Sequence, residues 1–301
     1  GSGTYTQANA IMSSLEVSFG IAPLMTDVVL TILVGIIILG GLQSIAKAAE
    51  KIVPAMAVVY IVAVISLLII NREQLPMAIE LVFVNAFTPT AAMGGFLGAS
   101  VMKGIQSGIA RGIFSNESGL GSAPIVAAAA KTKWSAEQGL ISMTGTFIDT
   151  IIICTMTGLA VISSGLWTTE LNGAVLTNGA FSQAFPLFGD YLITIALVLF
   201  AFTTILGWSY YGERCAVYLF GTKVIKPYRL VFIAIIATAA FLKLEEIWAL
   251  ADIVNGLMAF PNLVALLLLS GTVVSESKRY MNYLKERSRR LSSYKNINNK
   301  I

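Results

Sequence analysis

The side chains best able to bind a ligand or an ion lie in one glycine-rich stretch, residues 108–124. It contains four glycines together with Arg111, Asn116 and Glu117, in the middle of a long apolar segment. A continuous lipid-facing helix would not carry these side chains. Non-helical backbone at bilayer depth is tolerated only where protein or a water-filled cavity surrounds it. The stretch therefore predicts an unwound joint at 112–121 between two half-helices.

Such a joint has a chemical use, because it can bind a small zwitterion. The N-terminus of a half-helix presents unpaired N–H groups and a positive dipole end, which favour a carboxylate. Unwound carbonyls favour an ammonium group or Na⁺. Ser122 is a suitable N-cap for the second half-helix, and Pro124 fits its first turn. The structural alternative is a glycine-rich packing kink with Arg111 and Glu117 as a buried ion pair.

Asp149 is the other conspicuous carboxylate, near the middle of a predicted span at 136–165. Hydroxyl side chains recur around it at helical spacing, which indicates a polar face turned toward the bundle. These are Ser142, Thr146, Thr150 and Thr157. Asp149 could take part in ion coupling or act as a hydrogen-bonded structural acceptor. The structural role is favoured, because a sodium site this far from the break would lack a second carboxylate in the sequence.

The elements that must position these side chains are membrane helices. Of 301 residues, 56% are hydrophobic and 12% are charged, about half the roughly 25% charge of a soluble domain. The apolar stretches predict an all-α polytopic membrane protein with seven spans, near 23–41, 52–71, 97–130, 136–165, 190–220, 228–244 and 246–275. Residues 1–20 are interpreted as the end of an earlier helix. Histidine is absent, which excludes Ser-His hydrolysis and His-ligated metals.

Positive charge is concentrated at the C-terminus. Residues 276–301 carry eight Lys/Arg against two Glu and are formally +6, whereas residues 1–275 are −2. Lysines and arginines also fall on alternate connections, so the positive-inside rule predicts a cytoplasmic tail and external connections at 74–95 and 166–189. Pro76, Pro89 and the Gly94–Gly95 pair are expected to divide the first of these connections into short helices. A basic tail after a membrane helix requires no nucleic-acid partner, and none is predicted.

Residues 110–124, ARGIFSNESGLGSAP, resemble the signature of the alanine or glycine:cation symporter family, which consists of sodium-coupled carriers of small amino acids. Further segments resemble the same family, namely Gly40–Gly41 with 48–54, Gln138–Gly139, Phe147–Thr150 with Cys154–Thr155, and Gly207–Glu213. The resemblance extends over residues 5–275. The tail is not diagnostic.

This resemblance implies a leucine-transporter-like fold of two five-helix repeats in inverted orientation. Residues 97–275 would form a complete second repeat that begins with the broken helix. Residues 1–96 would form the end of the first repeat, with a partial third helix, two full spans and an external connection. Residues 276–301 would be the basic cytoplasmic tail. The chain is thus expected to be truncated at its N-terminus, without the partner broken helix.

The resemblance also implies substrate-binding residues. Phe114 would wall the pocket, while Asn116 and the nearby backbone at Gly119 would bond the substrate. Gln7 resembles a polar pocket residue on the third core helix. The alternatives left open are ordinary packing for Phe114 and helix-to-helix bonding for Gln7.

A second group of implied residues lies on the span at 190–220. Thr204 and Trp208 are four residues apart and share one helix face, where Trp208 would restrict the pocket to small side chains. Thr203 and Thr204 offer hydroxyl oxygens for Na⁺. Both threonines could instead bond carbonyls of their own helix, and Trp208 could be an interfacial aromatic residue.

The expected function is sodium-coupled symport of a small neutral amino acid, alanine or glycine, by alternating access across a bacterial or archaeal plasma membrane. Na⁺ is the coupling ion, the bilayer is the other partner, and no cofactor is predicted. Arg111, Glu117 and Asp149 would serve coupling or structure. A passive channel or structural membrane subunit is the main alternative. An embedded enzyme with Glu117 and Asp149 as an acid–base pair is less favoured, because no enzyme motif accompanies them.

Overall fold

The computed structural model describes residues 2–87 and 95–298, and these residues form helices joined by short turns. The α-helices of the described residues are α1 (Ser2–Phe19), α2 (Pro23–Leu39), α3 (Leu42–Ile70), α4 (Leu75–Phe87), α5 (Gly95–Asn116), α6 (Ala123–Ala127), α7 (Ser135–Phe147), α8 (Thr155–Ser164), α9 (Gly173–Ala184), α10 (Gly189–Phe220), α11 (Ile225–Ile236) and α12 (Leu244–Asn298). A π-helix, Ile148–Cys154, joins α7 to α8. Short 3-10 turns cover Leu166–Thr168, Thr222–Val224 and Ala239–Phe241.

Five helical stretches among the described residues are long and apolar enough to cross a bilayer, which confirms an all-helical polytopic membrane protein. They are Leu42–Ile70, Ser135–Ser164, Gly189–Phe220, Thr222–Phe241 and Glu245–Arg289. Two of the seven predicted spans do not meet this criterion. α2 has 17 residues, fewer than the roughly 20 that span a bilayer core. α5 is interrupted by Lys103, Arg111 and several glycines, which lower its hydropathy.

The helix predicted at 52–71 begins ten residues earlier in the structure. α2 ends near Gly41, whose φ of 78° lies in the left-handed region that glycine favours. From Leu42 onward the chain contains mostly alanine, leucine, lysine and glutamate, which are good helix formers. Lys47 and Lys51 therefore lie within α3 and not in a connection.

The predicted connections also contain regular structure. α4 is a short helix inside the stretch 74–95, as expected, whereas Pro89 and Gly94 lie outside the described residues. α9 occupies the middle of the connection predicted at 166–189. This helix was missed because its apolar run is short, and it is stabilised by packing against α8 and α10. The C-terminal tail continues α12 without interruption to Asn298, since neither proline nor glycine follows Gly271.

α10 is the central helix of the described bundle, with contacts to α1, α2, α3, α9 and α11. It runs antiparallel to α1, because Ser18 bonds Thr194 near one end and Gly3 lies against Trp208 near the other. Buried side chains of α1, α2, α10 and α11 form one apolar cluster, and those of α3, α8, α9 and α10 form a second. These clusters pack α10 against five neighbouring helices, beside the break between α5 and α6.

Candidate functional site

A break in the helix separates α5 from α6. α5 continues to Asn116, so the non-helical segment covers 117–122 instead of the predicted 112–121. Gly112 stays helical, because a glycine costs only about 1 kcal/mol in a helix interior and does not by itself unwind the chain. The second half-helix is also shorter than the predicted span to residue 130, since α6 ends at Ala127.

Three residues with left-handed backbone conformation produce this break. Glu117 has φ 56°, and Gly119 and Gly121 each have φ 84°. For a residue with a Cβ atom this conformation costs roughly 1–2 kcal/mol, so Glu117 is a notable exception. The Asn116 side-chain oxygen accepts the N–H of Ser118 at 2.9 Å, forming an Asx turn that fixes the start of the break.

The Glu117 carboxylate ties the two ends of the break together. It accepts hydrogen bonds from the hydroxyls of Ser122 and Tyr211. The predicted capping role of Ser122 is wrong, because its side chain makes no capping bond. Its φ of −74° and ψ of −42° are helical, whereas an N-cap residue adopts the extended region.

The alternative ion pair between Arg111 and Glu117 is not formed. The Arg111 guanidinium instead bonds the Asp252 carboxylate of α12 at 2.7 and 2.8 Å, and lies 4.0 Å from the centre of the Trp248 ring. A separation of six residues places Arg111 and Glu117 on different faces of the chain. Phe114 shares the Arg111 side, with its ring edge-on to Trp248 at 5.4 Å.

The π-helix Ile148–Cys154 forms the second wall of the break. The Asn116 amide donates to the Thr150 hydroxyl at 2.9 Å, and the Ser115 hydroxyl donates to the Asp149 carboxylate at 2.8 Å. The Ser115 bond fits the favoured structural role of Asp149. The π-helix itself was not predicted, and such single-turn irregularities occur frequently at functional sites.

The opposite wall is built by α10 and α12. Trp208, Tyr211, Asn262 and Gly121 line a cleft of about 500 Å³ beside the break, within the usual range of ligand pockets. The Asn262 amide donates to the Gly119 carbonyl at 2.9 Å. This contact was not predicted from the sequence. The available signal was an amide in the middle of an otherwise apolar helix.

The structure brings only some of the predicted site residues close together. Trp208 lies in the cleft beside the break and is 8% exposed. Asn116 faces the π-helix, and Phe114 contacts Trp248 of α12 and does not line the cleft. Gln7 is half-buried on α1, the helix whose start contacts Trp208.

The two predicted sodium ligands bond carbonyls of their own helix. Thr203 donates to Leu199 and Phe200 at 3.1 and 3.0 Å, and Thr204 donates to Phe200 at 2.9 Å. A hydroxyl that donates in this way keeps lone pairs on its oxygen. The geometry is therefore the expected structural use of both threonines, and it leaves their oxygens able to coordinate a cation.

The backbone of the break offers unpaired groups of its own. Within the described residues, the N–H groups of Gly119 and Gly121 donate to no acceptor, whereas the N–H of Leu120 bonds the Glu117 carbonyl at 3.2 Å. Unpaired N–H groups in an apolar surrounding favour an anionic ligand group. The break can therefore present donors to a carboxylate.

Comparison with known proteins places this arrangement in a family. An uncharacterized transporter of Haemophilus influenzae is 54% identical over 287 residues, 95% of this chain and 63% of that protein. A sodium/alanine symporter of Methanococcus maripaludis is 47% identical over 93% of this chain and 62% of its own length. A probable sodium/glutamine symporter of Bacillus subtilis is 38% identical over 91% and 57%.

The chain spans less than two thirds of the length of each of these relatives. The family pattern itself, described as the sodium:alanine symporter family, matches residues 1–294 and so includes the break, both of its walls and most of α12. The chain belongs to the sodium:alanine symporter family.

Proposed function

We propose that this protein carries a small neutral amino acid together with Na⁺ across the cell membrane by alternating access, with the helix break as its central binding element. The observation that carries the proposal is the break at 117–122, which contains two unpaired backbone N–H groups and lines, at Gly121, a cleft walled by Trp208. The family is one of transporters and not of enzymes, so the embedded-enzyme alternative is set aside.

In this proposal the break binds both charged ends of the substrate. The free N–H groups of Gly119 and Gly121 hold the carboxylate, and carbonyls of the break accept from the ammonium group. The Trp208 indole, which forms one wall of the cleft with Tyr211, limits the volume left for the side chain. The proposed substrate is alanine or glycine, as in the relative named a sodium/alanine symporter, whereas another relative is named a probable sodium/glutamine symporter.

Sodium coupling rests on oxygens of α10. Thr203 and Thr204 lie one turn before Trp208, so a cation bound at their hydroxyls would sit close to the substrate. Hard oxygen ligands are the type that Na⁺ prefers. Gln7 would close the pocket from α1, while Asp149 and Glu117 would hold the break in shape through their hydrogen bonds.

The proposal includes a leucine-transporter-like architecture. Residues 97–275 would be one five-helix repeat that begins with the break, and residues 1–96 the end of the other repeat. Residues 276–301 would extend into the cytoplasm, because they hold the largest block of positive charge. Rocking of one repeat against the other would open the break to each side in turn.

The test is uptake of labelled alanine by the full-length protein in liposomes. An inward Na⁺ gradient should drive accumulation, and Asn116→Ala should lower the initial rate roughly tenfold or more, because the side chain that fixes the start of the break is lost. Asn172→Ala is the matched control, since Asn172 is exposed and bonds only a neighbouring carbonyl. Uptake that is indifferent to the Na⁺ gradient would favour the channel alternative and overturn the proposal.

A further inference from the structure

An aromatic cluster joins α12 to the loop between α6 and α7. The Trp134 ring lies 5.8 Å from the Tyr280 ring and 5.0 Å from the Tyr283 ring. The Arg279 guanidinium lies 5.5 Å from the centre of the Trp134 ring. These residues line neither the break nor its cleft, so the cluster serves a purpose separate from the substrate site.

This cluster lies at the level where two membrane spans end. Trp134 directly precedes the span Ser135–Ser164. On α12, the exposed aliphatic side chains of the span continue to Val273 and Val274, and Tyr280 follows within two turns. Tryptophan and tyrosine are enriched where a bilayer meets water. The cluster therefore marks the headgroup level on this side of the membrane.

Exposed cations surround the cluster at that level. Lys131 and Lys133 precede Trp134 in the loop, and Arg279 lies against its ring from α12. Within the described residues, only Arg279 of these three has an acidic partner, Glu276 at 3.6 Å.

Two further features bear on the local charge. Glu137 accepts a hydrogen bond from Thr132 at 2.8 Å, and within the described residues it forms no ion pair with Lys131 or Lys133. Lys285 and Arg287 continue the basic run one to two turns farther along α12, within about one Debye length of the surface.

We propose that Lys131, Lys133 and Arg279, grouped around Trp134, form a binding site for the headgroup of an anionic phospholipid. The site is cationic and lies at the headgroup level. Its aromatic residues, Trp134, Tyr280 and Tyr283, are of the kinds that are enriched among lipid headgroups. Basic residues next to a membrane helix attract anionic lipids in this way. A bound lipid would bridge α12 to the loop that follows α6, a few residues from the break.

The test measures lipid binding to the purified full-length protein in a neutral detergent, by native mass spectrometry with phosphatidylglycerol and with phosphatidylcholine. The wild-type protein should bind phosphatidylglycerol roughly tenfold more tightly than phosphatidylcholine, and Lys131→Gln with Lys133→Gln should weaken phosphatidylglycerol binding about tenfold. The matched control is Lys223→Gln with Lys226→Gln, which removes the same charge from exposed positions after α10.

A second variant tests the contribution of the Trp134 ring without changing the charge of the site. Trp134→Leu should weaken phosphatidylglycerol binding roughly threefold or more, because the indole anchors at the headgroup level and supports Arg279. Equal losses in the two double variants would overturn the proposal, since the attraction would then be general to basic loops. Displacement of bound phosphatidylglycerol by inorganic phosphate at equal concentration would also overturn it, because the ligand would then be a soluble anion.

Discussion

Asn262 and Gly119 show how single polar groups hold the break in place. The Asn262 amide satisfies a carbonyl that has left the helical hydrogen-bond ladder. Neither residue was linked to the other by sequence reasoning, because they are 143 positions apart and only the packing of α12 against the break joins them. The existence of the break was predictable, since a glycine-rich polar run inside an apolar segment is incompatible with a continuous lipid-facing helix, whereas its bounds and its left-handed residues were not.

Asn262→Ala should destabilise the full-length protein by about 1 kcal/mol, the usual net value of one hydrogen bond. The Gly119 carbonyl would lose its donor in a setting where water has limited access. Thermal unfolding in detergent measures the effect. Asn85→Ala is the control, because exposed Asn85 bonds only a carbonyl of its own helix. Equal melting temperatures for the two variants would contradict the assigned contact.

Gly121→Ala should be more harmful than Gly112→Ala. At Gly121 the left-handed φ of 84° disfavours a side chain, and an added Cβ would lie 3.2 Å from the Asn262 side-chain oxygen. A loss of about 1–2 kcal/mol is expected from the conformation alone. Gly112 is helical with open space around it, so alanine there should be neutral or stabilising. A melting temperature that falls equally in both variants would refute the left-handed assignment.

At the scale of elements, long apolar helices were predictable and irregular ones were not. The spans at 136–165 and 190–220 match the structure within about two residues. The π-helix Ile148–Cys154 was not predicted, because one extra residue in a turn leaves almost no trace in hydropathy. The predicted start of α3 is too late because lysine lowers the hydropathy of its first turns, although Lys47 and Lys51 lie on the helix.

The link between α5 and α12 gives an element-scale prediction. Arg111 and Asp252 form an ion pair with side chains 37% and 46% exposed. Their coupling free energy should therefore be measurable but small, about 0.5–1 kcal/mol. A double-mutant cycle with Arg111→Gln and Asp252→Asn measures this coupling from thermal unfolding. Strictly additive effects of the two substitutions would show that the pair does not join the helices energetically.

At the scale of the whole molecule, α10 is the most extensively packed helix of the candidate site. It carries Trp208, Tyr211 and both candidate sodium ligands, and it is packed on several sides by other helices. α5 and the break, in contrast, contact mainly the π-helix and α12 through polar side chains. This difference fits the proposed function, in which the broken helix would move relative to a well-packed partner.

The central claim is that the break binds a small amino acid only together with Na⁺. Isothermal titration of alanine into the purified full-length protein tests it most directly, with NaCl and with KCl at equal ionic strength. The account predicts binding in NaCl, no detectable binding in KCl, and roughly tenfold weaker binding in NaCl for Trp208→Ala, which removes a wall of the pocket. Equal affinity in the two salts, or unchanged affinity in Trp208→Ala, would contradict it.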